Sequence, residues 1–399
     1  MKAFRRLSQS IRVGLDLGSS KICCWMSHAD DLSLLGTGHG ASRGLWEGQI
    51  TGFHALTEAL TKVIYETEQH ANMQVREATV SLSGAFFTSD YCAFRTPITD
   101  RTVTDRTLRN LIHSIVHPHL SPIHIVPLEF WVDQQHNITD PRGMIGKELG
   151  GHFHVLWMNT GRYQTLFSCL KSCQVRVTDL VFSGYASALA CLDPDEQELG
   201  VTLIDIGASS TSLTFFMHQK MVGVSVIPFG GHAITQDIAR VFETPIMHAE
   251  RIKILYGAAF MSAQDLHETI PILTMGERET TTKAQRSLLI HVIQARSEEL
   301  CALFKKSMEA SKFPIACQRI VFTGGGSQLL GLKELAQRVL KGSIRMAKPK
   351  ILPGAPKSSG EFSSVIGTLL HPQHSENLSI HRPSKPGFLS WLKETVFRS

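Results

Sequence analysis

The sequence VGLDLGSSKI at residues 13–22 has a pattern that recurs in VTLIDIGASSTSLTFF at residues 201–216. Each stretch opens with apolar residues, turns at an Asp-x-Gly sequence followed by small hydroxyl residues, and becomes apolar again. Apolar runs bounded by Asp, Gly and Ser are typical of two strands joined by a tight turn. The repetition predicts an internal duplication, with two related α/β domains that face each other.

A third glycine-rich turn, TGGGS at residues 323–327, follows an apolar run at 319–322 and precedes a helical pattern over 330–340. At such a strand-to-helix turn, backbone N–H groups and the helix dipole can bind an anion or a polar ligand. The chain therefore has three turns that are suited to polar ligands.

The composition is that of a globular protein with more than one domain. Of its 399 residues 43% are hydrophobic and 19% are charged, and the net charge is +5. We expect no nucleic-acid binding, because this small charge comes without a basic stripe interleaved with aromatic residues. No run of about 18 apolar residues occurs, so no transmembrane helix is expected. The basic N-terminus is followed by no apolar run, so no signal peptide is expected.

The two Asp-x-Gly turns supply the groups that a nucleoside triphosphate needs. Glycine lets backbone N–H groups approach the phosphates, and a carboxylate can hold Mg²⁺ through its water shell. We expect Asp16 and Asp205 to flank that metal, and Lys21 can neutralise phosphate charge. One such turn alone would be an ordinary hairpin, but two matched turns and TGGGS favour phosphate binding. Neither GxxxxGK[ST] nor a GxGxxG after the first strand occurs, so P-loop and dinucleotide-binding folds lack their motifs.

The three motifs resemble those of the actin, Hsp70 and hexokinase superfamily. Residues 13–22 are similar to its first phosphate motif, residues 201–216 to its second, and residues 320–332 to its adenosine motif. Within the superfamily the chain most resembles the FtsA family over nearly its whole length. The stretches that carry this resemblance are IPFGG at 227–231, ITQDI at 234–238, AERIKILYG at 249–257, PLEF at 127–130 and DPRGM at 140–144.

The resemblance implies an α/β, actin-like (ribonuclease H-like) duplicated two-domain fold with an FtsA-type inserted subdomain. The implied divisions are a basic N-terminal tail (1–11), a first actin-like domain (12–83 and 163–199), an inserted subdomain (84–162), a second actin-like domain (200–238 and 313–370), a smaller subdomain (239–312), a linker (371–384) and an amphipathic membrane-targeting helix (385–399).

The resemblance also implies a site for ATP and Mg²⁺. Glu250 and Lys253 should lie against the ribose and the adenine edge, whereas without the flanking motifs they would be an exposed i, i+3 ion pair. The expected cofactor-binding residues are Asp16, Gly18, Ser19, Ser20, Lys21, Asp205, Gly207, Ser209, Ser210, Thr211, Gly230, Gly231, Glu250, Lys253, Gly324, Gly325, Gly326 and Ser327.

The second turn departs from the pattern of the family, which has three glycines, two threonines and an aspartate where this chain has GASSTS at 207–212. A positive φ at Ala208 or Ser209 would cost about 1 kcal/mol or more. Ser183 stands where relatives often carry an acidic or amide residue near the attacking water, and serine is a poor general base. We expect ATP to be hydrolysed slowly at most.

The C-terminal stretch PGFLSWLKETVFRS at residues 386–399 has an amphipathic helical pattern. Apolar and aromatic residues with flanking cations suit a helix that lies in a membrane interface. A helix docked on the protein's own core or on a partner is the alternative. The expected membrane residues are Phe388, Leu389, Trp391, Leu392, Lys393, Val396, Phe397 and Arg398.

By resemblance, the protein is expected to form actin-like polymers and to tether filaments of the tubulin-like protein FtsZ to the membrane. The implied partners are the FtsZ C-terminal tail, later membrane proteins of the divisome, further copies of the chain and anionic lipid. The implied location is the cytoplasmic face of the inner membrane at the division septum. A phosphotransferase of the sugar or acetate kinase branch, or another actin-like scaffold such as a pilus-assembly protein, is the alternative.

Overall fold

The computed structural model describes residues 10–261, 263–274, 280–314, 316–355 and 359–374. The strands in these ranges are β1 Ile11–Leu17, β2 Lys21–His28, β3 Leu34–Ala41, β4 Leu45–Trp46, β5 Gln49–Ile50, β6 Glu77–Leu82, β7 Thr88–Pro97, β8 Leu120–Val132, β9 Gln135–Ile138, β10 Glu148–Asn159, β11 Arg176–Phe182, β12 Val201–Ile206, β13 Thr211–Met217, β14 Lys220–Ile227, β15 Thr269–Thr274, β16 Thr280–Gln285, β17 Arg319–Thr323 and β18 Ser343–Met346.

The helices in the same ranges are α1 Phe53–Ala71, α2 Asp105–His113, α3 Thr160–Ser172, α4 Ser183–Cys191, α5 Pro194–Leu199, α6 Gly231–Val241, α7 Ile246–Tyr256, α8 Arg286–Glu309, α9 Leu332–Leu340 and α10 Ser363–His374. In the part of the chain that the structure describes, no helix combines the length and the apolar character needed to cross a membrane.

Two five-stranded sheets have the same construction, which confirms the predicted duplication and the actin-like fold class. Their orders are β3-β2-β1-β6-β11 and β14-β13-β12-β17-β18. In each sheet, the three strands that come first along the chain pair antiparallel with one another. The two later strands run parallel to the first of those three. The register is also equivalent, since Asp16 lies opposite Ser81 and Asp205 lies opposite Thr323.

Helix α1 illustrates how the sequence builds the crossover between β3 and β6. Its buried residues Leu56, Leu60 and Val63 recur at helical spacing and pack against the first sheet. The helix ends at Ala71 and is capped by Asn72, whose left-handed φ of 51° turns the chain away from the helical path. The second half has its own core, to which α6, α8 and α9 contribute buried residues.

Helices α4 and α10 pack against each other between the two halves. Every residue of α4 is buried, and α10 also contacts β1, β2 and β6. The two helices approach so closely that a Cβ atom on Gly367 would lie 1.7 Å from the carbonyl oxygen of Ala186. Only glycine permits this packing.

The inserted subdomain follows β6 and precedes β11, and its antiparallel sheet has the order β7-β10-β8-β9. Helix α2 covers one face of this sheet with Leu108 and Leu111. Thr104 begins the helix with a capping box. The other face meets β14, where His154 Nδ1 lies 2.9 Å from the Met221 carbonyl oxygen.

The structure differs from the sequence-based expectations at two helix ends. The turn after β17 continues into a short 3₁₀ helix, Gly325–Gln328, so α9 begins at Leu332 and not at 330. Helix α10 extends to His374, past the expected start of the linker at 371. The remainder of that linker, residues 1–9 of the basic tail and the whole predicted membrane-targeting helix 385–399 lie outside the described residues.

Candidate functional site

The two Asp-x-Gly turns have the same local geometry. The N–H of Gly18 donates to the Lys21 carbonyl oxygen at 3.1 Å, and the N–H of Gly207 donates to the Ser210 carbonyl oxygen at 3.0 Å. A Cβ atom on either glycine would lie under 3 Å from the same oxygen, at 2.7 Å and 2.8 Å respectively. Both turns need glycine because their backbones approach so closely.

The second turn accommodates its unusual residues without backbone strain. Neither Ala208 nor Ser209 has a positive φ. The cost expected for a left-handed conformation at these positions is therefore absent, because the Gly207 hydrogen bond closes the turn without one. The departures from the family pattern change the side chains around the turn and leave its path intact.

The candidate metal carboxylates lie at the ends of β1 and β12, each bonded to a serine hydroxyl. Ser81 donates to Asp16 at 2.7 Å, and Ser187 of α4 donates to Asp205 at 2.6 Å. Burial raises the pKa of Asp16 to about 6, against the opposing effects of the Ser81 hydrogen bond and the Lys21 charge. Burial also raises the pKa of Asp205 to about 6.

The two carboxylates influence one another, since the charge of Asp16 adds to the rise in the pKa of Asp205. Two anions in a partly buried site, surrounded by hydroxyl groups, favour a nearby cation. Oxygen-only ligands that leave room for water suit Mg²⁺. Asp16 and Asp205 therefore fit the role of carboxylates that hold this metal through water.

The TGGGS turn lies directly against Asp205. Gly324 has a φ of 90°, and a Cβ atom there would lie 2.3 Å from Asp205 Oδ1. Ser327 is buried, and its hydroxyl donates to the Gly324 carbonyl oxygen at 2.8 Å, so it shapes the turn. Gly325 begins the 3₁₀ helix, and a Cβ atom on Gly326 would contact Ile206 at 2.5 Å.

The start of α6 supports the second turn. Gly231 N–H donates to the Gly207 carbonyl oxygen at 2.9 Å, and His232 N–H donates to the Ala208 carbonyl oxygen at 2.8 Å. A Cβ atom on Gly230 would lie 2.4 Å from the Gly207 carbonyl oxygen. Thr211 donates to the Phe229 carbonyl oxygen at 2.8 Å. These residues therefore hold the turn in place.

The residues expected near the ribose and adenine form a connected group. Lys253 Nζ donates to the Gly231 carbonyl oxygen at 3.0 Å, to Thr235 Oγ1 at 2.8 Å and to Glu250 Oε2 at 2.7 Å. Gly231 also faces Gly326, since a Cβ atom on Gly231 would lie 3.8 Å from the Gly326 Cα. The structure thus joins α6, α7 and the TGGGS turn at one place.

Side-chain contacts cross between the halves at the turns. Ser209 donates to Ser19 Oγ at 2.6 Å. Lys21 Nζ lies 2.6 Å from Glu361 Oε2. The Trp46 ring, in the hairpin of β4 and β5, meets the His232 ring edge-on with centroids 4.9 Å apart. The remaining predicted residues Ser20 and Ser210 also lie in the two turns, the first exposed and the second buried.

Sequence reasoning missed several residues of this site. Ser81 could have been found, because it lies near the end of the strand that runs parallel to β1. Ser187 is one turn into α4 from Ser183 and could have been found by helical spacing. Glu361 and Trp46 carry no sequence signal, since only the packing of distant segments brings them to the turns.

Comparison with known sequences identifies the family. The model of "Cell division protein FtsA" matches residues 202–367, and that of "SHS2 domain inserted in FTSA" matches residues 84–157. The chain is 31% identical to cell division protein FtsA of Rhizobium meliloti, over 96% of this chain and 94% of that protein. It is 26% identical to the Escherichia coli (strain K12) protein of that name, over 96% and 95% of the two chains.

Solved structures show the same fold at lower identity. The chain resembles the PilM–PilN type IV pilus biogenesis complex with a TM-score of 0.65 and 18% identity, covering 91% of this chain and 98% of that one. It resembles MreB5 of Spiroplasma citri bound to ADP with a TM-score of 0.58 and 13% identity, covering 94% and 100%. The matched turns, the inserted subdomain and the full-length sequence similarity together place the chain in the FtsA family of cell-division proteins.

Proposed function

We propose that this protein binds ATP with Mg²⁺ between its two Asp-x-Gly turns and uses the bound state to assemble on the membrane with FtsZ. The observation that supports nucleotide binding is the pair of carboxylates, Asp16 and Asp205, each of which accepts a hydrogen bond from a serine hydroxyl. Mg²⁺ would supply charge neutralisation for the phosphates. The site residues would contribute N–H donors from the turns, the Lys21 charge, and the Lys253 group beside the ribose and adenine.

Isothermal titration calorimetry with Mg²⁺-ATP tests this assignment. Asp205→Asn keeps an oxygen that can accept from Ser187 but removes the charge, so we expect ATP binding at least about tenfold weaker. Asp195→Asn, on the exposed start of α5, is the matched control and should bind as the wild type does. Equal affinity of the wild type and Asp205→Asn would contradict the assignment.

We propose that ATP acts mainly as a ligand and is turned over slowly. Ser183 is the first residue of α4 and is buried, and Ser212 replaces the aspartate of the family pattern. Neither hydroxyl is a good general base at neutral pH. We expect a turnover rate below about 1 per second, which is the lower limit of typical enzyme turnover rates. A phosphate-release assay that gives a faster rate would overturn this part.

We propose that the FtsZ C-terminal tail binds the smaller subdomain on the outer face of α7. This helix exposes apolar side chains at Met247 (82%), Ile254 (70%) and Leu255 (58%), an unusual density for a surface helix. Ile254→Lys should weaken binding of a fluorescent FtsZ-tail peptide at least about tenfold. The same variant should bind Mg²⁺-ATP normally. Unchanged peptide binding would place the partner elsewhere.

We propose that residues 385–399 anchor the protein to anionic lipid and that self-association strengthens the anchor. Few apolar residues give a weak attachment per molecule, so several linked copies are needed. Liposome flotation of the chain ending at residue 374 should lose binding, and FtsZ should then no longer co-sediment with liposomes. Retained flotation of the truncated chain would contradict this. The expected location is the cytoplasmic face of the inner membrane at the septum, together with later divisome proteins.

A further inference from the structure

Two polar contacts within the protein involve side chains that would bind the nucleotide in the proposed site. Ser209 donates to the hydroxyl of Ser19, so the two turns are hydrogen-bonded directly to each other. The Lys21 ammonium, which would meet phosphate charge, is paired with the Glu361 carboxylate at 2.6 Å. The hydroxyl of Ser19 and the ammonium of Lys21 are thus both engaged by the protein itself.

Packing holds Glu361 beside the turns. A Cβ atom on Gly360 would lie 3.2 Å from the Gly324 carbonyl oxygen, and one on Gly325 would lie 3.7 Å from the Glu361 Cβ. The next residue, Phe362, lies under Lys21 with its ring centroid 3.9 Å from Nζ. These contacts hold the backbone of Glu361 beside the TGGGS turn, and its side chain extends to Lys21.

The ion pair is accessible enough to open. The side chains of Lys21 and Glu361 are 25% and 40% exposed. A pair at this exposure contributes little to stability, so a strongly charged ligand can displace the carboxylate. A triphosphate would be such a ligand, since its oxygens bind an ammonium more strongly than one carboxylate does.

We propose that Glu361 and Ser209 compete with nucleotide phosphates for Lys21 and Ser19, so that Glu361 sets the nucleotide affinity of this chain. The inference rests on the proposed function, in which the cleft takes ATP. Binding would replace Glu361 on Lys21 and place an uncompensated carboxylate beside the phosphates. Because Glu361 lies two residues before the start of α10, displacing its side chain from Lys21 would also act on the helix that packs between the two halves.

Calorimetry on the full chain tests the competition with two probes, ATP in EDTA and Mg²⁺-ATP. Glu361→Gln should bind both about three- to tenfold more tightly, and the gain should shrink between 0.05 and 0.5 M KCl because salt screens charge. The matched control is Glu77→Gln, which removes an exposed ion pair with Arg176 within the first half. This control should bind ATP like the wild type.

The outcomes separate the two proposals. If Glu361→Gln binds ATP as tightly as the wild type or more weakly, the proposed competition is wrong but ATP remains the ligand. If binding weakens only for Mg²⁺-ATP, the competition is also wrong, and Glu361 instead contributes to the metal site. Absence of ATP binding in both proteins overturns the assignment of nucleotide and the competition with it.

Hydrogen exchange without nucleotide tests the contacts themselves. In Ser209→Ala and in Glu361→Gln, the amides of residues 17–21 should exchange at least about threefold faster than in the wild type, because each variant removes one restraint on the first turn. Unchanged exchange in both variants would show that these contacts do not hold the turns, and would overturn the proposal.

Discussion

The hydrogen bonding, pKa and packing of an individual side chain in this protein depend on its closest neighbours. Asp205 accepts from Ser187, senses the charge of Asp16, and lies under the backbone of Gly324. The glycines of the turns were predictable because an Asp-x-Gly turn requires close backbone approach at that residue. The serine partners and the contact with Gly324 depend on how separate strands align, and the sequence around Asp205 contains no sign of them.

At the residue scale, we expect Gly324→Ala to abolish Mg²⁺-ATP binding and to lower the free energy of unfolding by about 1–3 kcal/mol. The new Cβ would meet Asp205 Oδ1 at 2.3 Å, and the φ of 90° disfavours alanine. Gly354→Ala is the control, because its φ is 78° but its nearest atoms are 3.7 Å away. Calorimetry and urea denaturation should show the backbone cost in both variants and the binding loss only in the first.

Elements are positioned by packing that the local sequence only partly predicts. The strands around each turn follow from their apolar runs, and α1 follows from its helical spacing. The packing of α4 against α10 does not follow from such a pattern, because α4 is buried on all sides and has no polar face that would give its sequence a helical period. Their close contact depends on Gly367 alone fitting against the Ala186 carbonyl.

At the element scale, Gly367→Ala should force α10 away from α4 and cost more than about 2 kcal/mol of unfolding free energy. Because Ser187 on α4 bonds Ser364 on α10 at 3.0 Å as well as Asp205, nucleotide binding should weaken too. Gly161→Ala, in the first turn of α3, removes a helical glycine without such a clash and should change stability by less than about 1 kcal/mol. A Gly367→Ala protein as stable as the wild type would contradict the packing argument.

At the scale of the whole molecule, the inserted subdomain contacts the second half through polar groups that are buried or partly buried. His154 lies between the Met221 carbonyl oxygen and Ser89 Oγ, and the Tyr91 hydroxyl donates to the Val222 carbonyl oxygen at 2.7 Å. Burial lowers the pKa of His154 to about 4. The imidazole is therefore neutral in the folded protein at neutral pH.

This histidine makes stability depend on pH. Because its pKa is lower in the folded than in the unfolded chain, its contribution is complete above about pH 6.5 and is lost as the pH falls towards 4. At pH 5 the loss should be about 2 kcal/mol. Urea denaturation at pH 7 and pH 5 should show that the change in unfolding free energy on acidification is less favourable in the wild type than in His154→Asn by about 2 kcal/mol, because all other titrating groups are common to both proteins. Equal changes in both proteins would contradict the assignment.

The duplication, the three glycine-rich turns, the inserted region and the family could be predicted from the chain's residues alone, because they are encoded in short contiguous patterns of apolar, glycine and hydroxyl residues. How the turns are completed depends on contacts between segments that are distant along the chain. Lys21 and Glu361 are 340 residues apart along the chain, and Ser19 and Ser209 are 190 apart. Such contacts follow from strand register and helix docking, which are set by the packing of the whole core and are not encoded in any one segment.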